Sequence, residues 1–246
     1  MKRLLIIFLF IATQFAFANE QDRFKQANNA YAEQRYDSAL EIYSQLIEDG
    51  WQSAAINFNT ANCYYRLNSI GKAILYYEKA KALSPDDRDI LANLKLAEAQ
   101  KIDKFEVVPT PAFTRIFRSI LSLFSNAMWL TIGLILVFLS ATALTLFLVS
   151  QNKSTFRFGF YLTFGVLGLL FLFLGNLKVN HEENNQLGIL TVANVYVKSE
   201  PENGEDLFIV HEGSKAKIEE TFNGWIKARF PDGKTGWLQA ESFEAI

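Results

Sequence analysis

Gly71-Lys72-Ala73-Ile74-Leu75-Tyr76-Tyr77-Glu78-Lys79-Ala80, running on into Lys81-Ala82-Leu83-Ser84-Pro85, decides how this chain folds, because its spacing of small and aromatic residues already stands 34 positions earlier. At that fixed offset Ala27 aligns with Ala61, Tyr31 with Tyr65, Ala39 with Ala73 and Tyr43 with Tyr77. The pattern predicts a pair of antiparallel helices per repeat. Ala27, Ala39, Ala61, Ala73 and Ala80 let helices approach closely, and Tyr36, Tyr43, Ile70 and Tyr77 fill the space between them. Asp37 and Ser69 stand where the second helix of each pair begins and are expected to cap it. Pro85 stops the second pair. A third helix, roughly Asp86 to Ile102, carries Ile90, Leu91, Leu94 and Ala97 at helical spacing, with no partner helix after it. It is expected to close a minimal stack, since each repeat buries its apolar face only against its neighbours.

A helix pair with a 34-residue period resembles the tetratricopeptide repeat. That resemblance implies a peptide groove on the inner face of the first helices, presenting Asn28 and Tyr31 from one repeat and Asn62, Tyr65 and Arg66 from the next. An asparagine side chain can hold a peptide backbone at both a donor and an acceptor. The plainer reading is that the tyrosines pack between helices and the asparagines are solvated.

The apolar residues of the 246-residue chain gather into three runs, and the net charge of −2 gives no reason to expect a nucleic-acid partner. Leu4 to Phe17, after Lys2-Arg3 and before Ala16-Phe17-Ala18, has the pattern of a signal peptide over residues 1–18, which puts the region from Asn19 onward outside the cytoplasm. Ala127 to Val149 is 23 residues without a charge, enough to cross about 30 Å of hydrocarbon. Its 13 Leu, Ile, Val and Phe residues contribute roughly −4 to −8 kcal/mol on an insertion scale. Phe158 to Leu177 repeats the feature, and the short turn at 150–157 requires an antiparallel hairpin. Parity then places the two flanking regions on the same side. Lys153 and Arg157 agree with a cytoplasmic turn, although Arg115, Arg118 and Lys178 lie near the outer ends. Ahead of the spans, residues 105–126 hold a short Pro-punctuated linker and an expected amphipathic helix from Phe113 to Phe124, suited to a headgroup region. Neither span contains a charge or a histidine, so they are expected to anchor rather than transport.

Beyond a polar linker at 178–186, residues 187–246 read as short strands. Glu202-Asn203-Gly204, Asn223-Gly224 and Pro231-Asp232-Gly233 are hairpin signals, and His211-Glu212-Gly213 is expected to be a solvated turn. About five strands in this length suggest a small barrel. Val195-Tyr196-Val197-Lys198-Ser199-Glu200-Pro201, Gly224-Trp225 and Gly233-Lys234-Thr235-Gly236-Trp237 resemble the bacterial SH3 domain. Tyr196, Trp225 and Trp237 are the candidate surface of that domain, with barrel packing the favoured role for the two tryptophans.

Taken together the chain reads as a multidomain membrane protein: an all-α tetratricopeptide helical repeat at 19–104, a two-helix transmembrane hairpin and a small all-β SH3-like barrel. That combination resembles the BatE-like family of the Bacteroidetes aerotolerance (Bat) operon. The resemblance implies a two-pass protein of the bacterial inner membrane with repeat and barrel in the periplasm. It implies partners among the von Willebrand factor A membrane proteins and other Bat-operon proteins, with a MoxR-type ATPase across the membrane. Peptidoglycan peptide stems, bound by the barrel, are the alternative ligand. No catalytic, cofactor-binding or metal-ligating set is expected: one cysteine and two histidines remain, and His181-Glu182 lacks the second histidine of a zinc motif. Cys63 is expected to be a small buried residue.

Overall fold

The structure, a computed structural model, describes residues 21–106, 111–150, 155–183 and 186–246. The expected signal peptide and residues 151–154 of the expected turn between the spans lie outside the described residues. The chain forms two compact units. One joins the residues before 108 to Leu187–Ile246, and the other lies within Val108–Gln186.

Among its described residues the first unit has five helices ahead of its strands: α1 (21–32), α2 (Tyr36–Glu48), α3 (Ala54–Arg66), α4 (Ile70–Leu83) and α5 (Arg88–Ala99). The 34-residue offset is visible in the backbone itself. Gln34 and Asn68, 34 apart, both take a left-handed φ, 63° and 60°. Each reverses the chain through the same pair of bonds, Gln34 N–H to Tyr31 O with Arg35 N–H to Ala30 O, then Asn68 N–H to Tyr65 O with Ser69 N–H to Tyr64 O. The alanines and tyrosines named by the repeat are the core. Ala27, Ala39 and Tyr43 are fully buried with Leu46 and Cys63, and Ala61, Ala73 and Tyr77 are buried with Ile74 and Leu94. Burial pushes the Cys63 thiol up to about 12, so it is a protonated packing group as expected.

The expected caps are corrected. Neither Asp37 nor Ser69 caps a helix: Arg35 and Ser69 hold the cap positions of α2 and α4 without any side-chain bond, and Asp37 is one residue inside α2. The tight left-handed turns bring the chain into these helices with a geometry from which the hydroxyl does not reach the orphan N–H groups. Side-chain caps occur where the preceding residue is extended, at Ser53 for α3 and Asp87 for α5.

The same unit continues with seven antiparallel strands, two more than the sequence suggests: β1 (Leu187–Leu190), β2 (Asn194–Lys198), β3 (Asp206–His211), β4 (Lys215–Phe222), β5 (Trp225–Arg229), β6 (Thr235–Gln239) and β7 (Phe243–Ala245). Their order is β3-β2-β6-β5-β4-β1-β7. The short β1, expected from the apolar run Gly188 to Val192, pairs with the unexpected β7 through Gly188 and Ala245. Leu190, Val197, Val210, Ile226, Ala228 and Leu238 form the buried side of the sheet.

Helices and sheet exchange core residues. Ile189 of β1 is fully buried in the cluster of Ala61, Ile74, Leu94 and Ala97, and Phe105, just after α5, packs against Phe230 of the sheet core at 5.6 Å between ring centres. By the repeat period α5 is a third first-helix, since α3 and α5 begin 34 residues apart at Ala54 and Arg88. β1 packs on α4, the helix against which the missing second helix of that repeat would lie.

The second unit contains α6 (Ala112–Ser122), α7 (Asn126–Val149) and α8 (Thr155–Glu183). α7 and α8 are antiparallel, with Gly133 against Leu172, Val137 against Gly168 and Ser140 against Gly165. A Cβ on Gly168 would stand 2.9 Å from the Val137 backbone nitrogen, so this glycine sets the close approach. α7, and α8 from Phe158 to His181, are long and apolar enough to cross a membrane, and only 6% and 11% of their most apolar windows are buried. α8 runs past the expected end at Leu177, because no Gly or Pro comes after it to stop the helix before Glu183. The Lys178 ammonium there donates to Phe124 O at 2.8 Å, and Trp129 Nε1 donates to Leu121 O at 3.2 Å, tying α6 to the hairpin. α6 itself leaves Phe113, Ile116 and Ile120 exposed.

Candidate functional site

The five residues expected to line a peptide groove fall on α1 and α3 in a ladder that repeats with the sequence. Tyr43 OH donates to Asn28 Oδ1 at 2.5 Å and, 34 residues on, Tyr77 OH donates to Asn62 Oδ1 at 2.6 Å. These bonds tie the two helices of each repeat. A second set ties one repeat to the next: Arg66 Nε donates to Tyr31 OH at 3.4 Å, and Gln100 Nε2, the same position one repeat later, donates to Tyr65 OH at 2.5 Å. Asn59 Nδ2 also donates to Asn28 Oδ1 at 2.9 Å.

The asparagines are therefore structural as well as available. Asn28 Oδ1 accepts two bonds, from Tyr43 and Asn59, so this amide can offer a ligand its N–H donors alone, whereas Asn62 Oδ1 accepts one bond and keeps a second lone pair beside its donors. Burial drives the hydroxyls of Tyr43 and Tyr77 well above the ordinary tyrosine range, so they stay protonated and act as the donors of these bonds. Arg66 is exposed and adds positive charge to the face.

The three residues expected on the barrel surface share one face of neighbouring strands. Trp225 pairs with Gln239, Lys227 with Trp237 and Lys198 with Trp237, so Trp225, Trp237 and Tyr196 all point to the side opposite the sheet core. Their exposure differs. Tyr196 is 56% exposed, Trp225 is half-buried and Trp237 is buried, with the Lys227 ammonium 5.9 Å from its ring centre. Trp237 is thus covered on the face opposite the sheet core, and Tyr196 is the most exposed ring of the three.

Sequence reasoning missed the junction of helices and sheet. Glu212, read as part of a solvated turn, accepts the Gly71 N–H at 2.9 Å. Gly71 lies in the first turn of α4, so this carboxylate supplies, from 141 positions away, the cap that Ser69 does not. Beside it Asp103 accepts the His211 N–H at 2.7 Å and the Ser214 hydroxyl at 2.5 Å, and its other oxygen lies 2.8 Å from His211 Nδ1. Burial alone would raise the Asp103 carboxyl, but the bonds from Ser214 and His211 outweigh it and hold the group below the ordinary carboxylate value. Glu78, buried on α4, accepts from Lys215 of β4 at 2.9 Å and from Lys81 at 3.4 Å. No local pattern announces such contacts; the one visible signal was the adjacent His211-Glu212-Gly213, with Gly213 at a φ of 79°.

The geometry defines a helical-repeat scaffold closed at one end by a sheet. Residues 24–88 match the tetratricopeptide repeat family, which mediates protein–protein contacts. No curated protein matches the chain. Among the described residues no group of three or more His, Cys, Asp or Glu side chains could hold a metal ion.

Proposed function

We propose that the chain is a membrane-anchored scaffold that recruits partner proteins through the first-helix face of its repeats. In this reading α7 and α8 cross the bacterial inner membrane as a hairpin, α6 lies at the surface, and the repeats and the SH3-like barrel stand together in the periplasm. The observation that carries it is the shared core of residues before and after the apolar helices, with Ile189 and Phe105 exchanged between them. A folded body built from both flanks requires an even number of crossings between them. The low burial of α7 and α8 supports a lipid surround, because that much apolar surface in water opposes solubility. The resemblance to the BatE-like family supplies the candidate partners, von Willebrand factor A membrane proteins and other Bat-operon proteins in an envelope stress or aerotolerance complex. The role requires no catalytic step.

Two measurements test this. Cysteines placed at the exposed Glu33 and Glu220 should both react with a membrane-impermeant thiol reagent from the same side, since Cys63 is buried and silent; labelling from opposite sides would sink the topology. Purification of the tagged protein from its native membrane in mild detergent should recover von Willebrand factor A proteins, and Arg66→Glu should abolish their recovery. Asn62 is unsuitable as a probe because its loss also frees the Tyr77 hydroxyl. Recovery of wall peptides in place of proteins would move the function to the Tyr196 face of the barrel.

A further inference from the structure

Away from the ladder of Asn28 and Asn62, residues of α2, α3 and α4 and Ile246 line a half-open cavity of about 300 Å³. Ile47, Tyr76, Leu83 and Ile246 are its apolar walls, Gln52 and Lys79 also line it, and Asn57 is the buried polar side chain among the lining residues. The Asn57 side chain is 6% exposed and its carboxamide makes no hydrogen bond within the described residues. Every side-chain nitrogen or oxygen there that is wholly sealed from solvent does have a partner, so the polar atoms of Asn57 keep their access through the cavity it lines. Asn59 and Asn62, on the same helix, are both engaged, Asn59 with Asn28 of the preceding repeat and Asn62 with Tyr77 of its own. An amide so placed retains an unmet donor and an unmet acceptor, and Asn57 is one of the residues lining the cavity.

We propose that this cavity binds a neutral peptide segment, with a main-chain amide paired to the Asn57 carboxamide and an aliphatic side chain seated between Ile47 and Leu83. A carboxamide presents a donor and an acceptor side by side, the complement of a peptide unit. The volume matches the lower end of small-ligand sites and accommodates one residue with its flanking amides. The rim argues against an anionic ligand. Burial and the nearby carboxylates of Glu244 and Glu48 raise the Tyr76 hydroxyl, while a single ammonium, Lys79, lies over the Tyr76 ring at 5.0 Å, so the rim holds more negative than positive charge. The site is separate from the first-helix face and does not depend on the partner assigned there.

The test uses the full chain in detergent micelles with N-acetyl-leucinamide as probe and saturation-transfer NMR as the readout. Binding in the millimolar range is expected, weakened at least tenfold by Asn57→Leu, which removes the amide, and by Ala82→Phe, which fills the cavity from its lining and leaves the Asn57 amide in the chain. Circular dichroism checks that each variant is folded, and either folded variant suffices. N-acetyl-leucine, which carries a charge, should bind more weakly. No transfer to the probe, which would mean a cavity holding water alone, overturns the proposal. So does binding unchanged in a folded variant, or tighter binding of the acid.

Discussion

The two sides of α4 are covered by different chemistry. Toward α3 the contact is helix on helix, carried by fully buried Ala61, Ala73, Leu75 and Tyr77 and by one hydroxyl–amide bond that recurs in the preceding repeat. Toward the sheet, the contact has Ile189 as its apolar centre and a ring of polar groups around it: Glu212 on Gly71, Asp103 on His211 and Ser214, Lys215 on Glu78. Burying apolar area stabilises with little demand on geometry, whereas a hydrogen-bonded seam stabilises only when every partner is in place. The first junction should therefore be strong and tolerant, the second selective and easily opened.

The largest expected effect breaks the first junction. Tyr77→Ala removes a 1% exposed ring and the donor to Asn62, and should cost about 3–5 kcal/mol, enough to melt the repeats in a denaturant titration monitored by circular dichroism. Gly71→Ala acts on the second junction alone. A Cβ there would stand 2.6 Å from Leu190 O and 3.1 Å from Gly213 N, so the sheet must shift at an overpacking cost of about 1–3 kcal/mol, while alanine favours α4 itself by about 1 kcal/mol. Hydrogen exchange should rise in β1 and stay protected in α3; a uniform rise in both would refute the separation of the two junctions.

Acid should open the same seam. Because the Asp103 carboxyl is held below its ordinary value of 3.8, its contribution is fully present above about pH 4 and is lost as pH falls through the lowered folded value. Asp103→Asn should be less stable than the parent by about 1–3 kcal/mol at neutral pH, and the gap should narrow below pH 4 in thermal melts. A gap independent of pH would assign the effect to shape rather than charge. The smallest effect compares the two repeats. Gln34 and Asn68 occupy matching left-handed positions, but asparagine tolerates that region better than glutamine. Gln34→Gly should raise stability by roughly 0.5–1 kcal/mol, and Asn68→Gly by less.

Legibility in the sequence tracked locality. The 34-residue offset located α2 to α5 and named Ala39, Tyr43, Ala73 and Tyr77 as core, because helix pairing within a repeat joins residues about 15 apart. Gly224 and Gly233, both at positive φ, marked two of the strand turns. The ladder residues were found too, but their roles were not: Asn28 and Asn62 hold tyrosines first and could serve a ligand second. The contacts that escaped were those between positions more than a hundred apart. Glu212 and Asp103 carry no pattern that distinguishes a solvated carboxylate from one that docks two halves of a body. β7 escaped for a related reason, since three residues have no periodicity to read and exist as a strand only through β1.

The exchange of Ile189 and Phe105 also sets an order of events in synthesis. Ribosomes add about 5–20 residues per second, so the 79 residues of Val108–Gln186 separate completion of the helices from emergence of β1 by on the order of ten seconds. Through that interval α4 waits with Gly71 and Ile74 uncovered, and a nascent chain whose hairpin stalls cannot bring its last sixty residues back to cover them. The finished junction thus records that everything between its two halves was made.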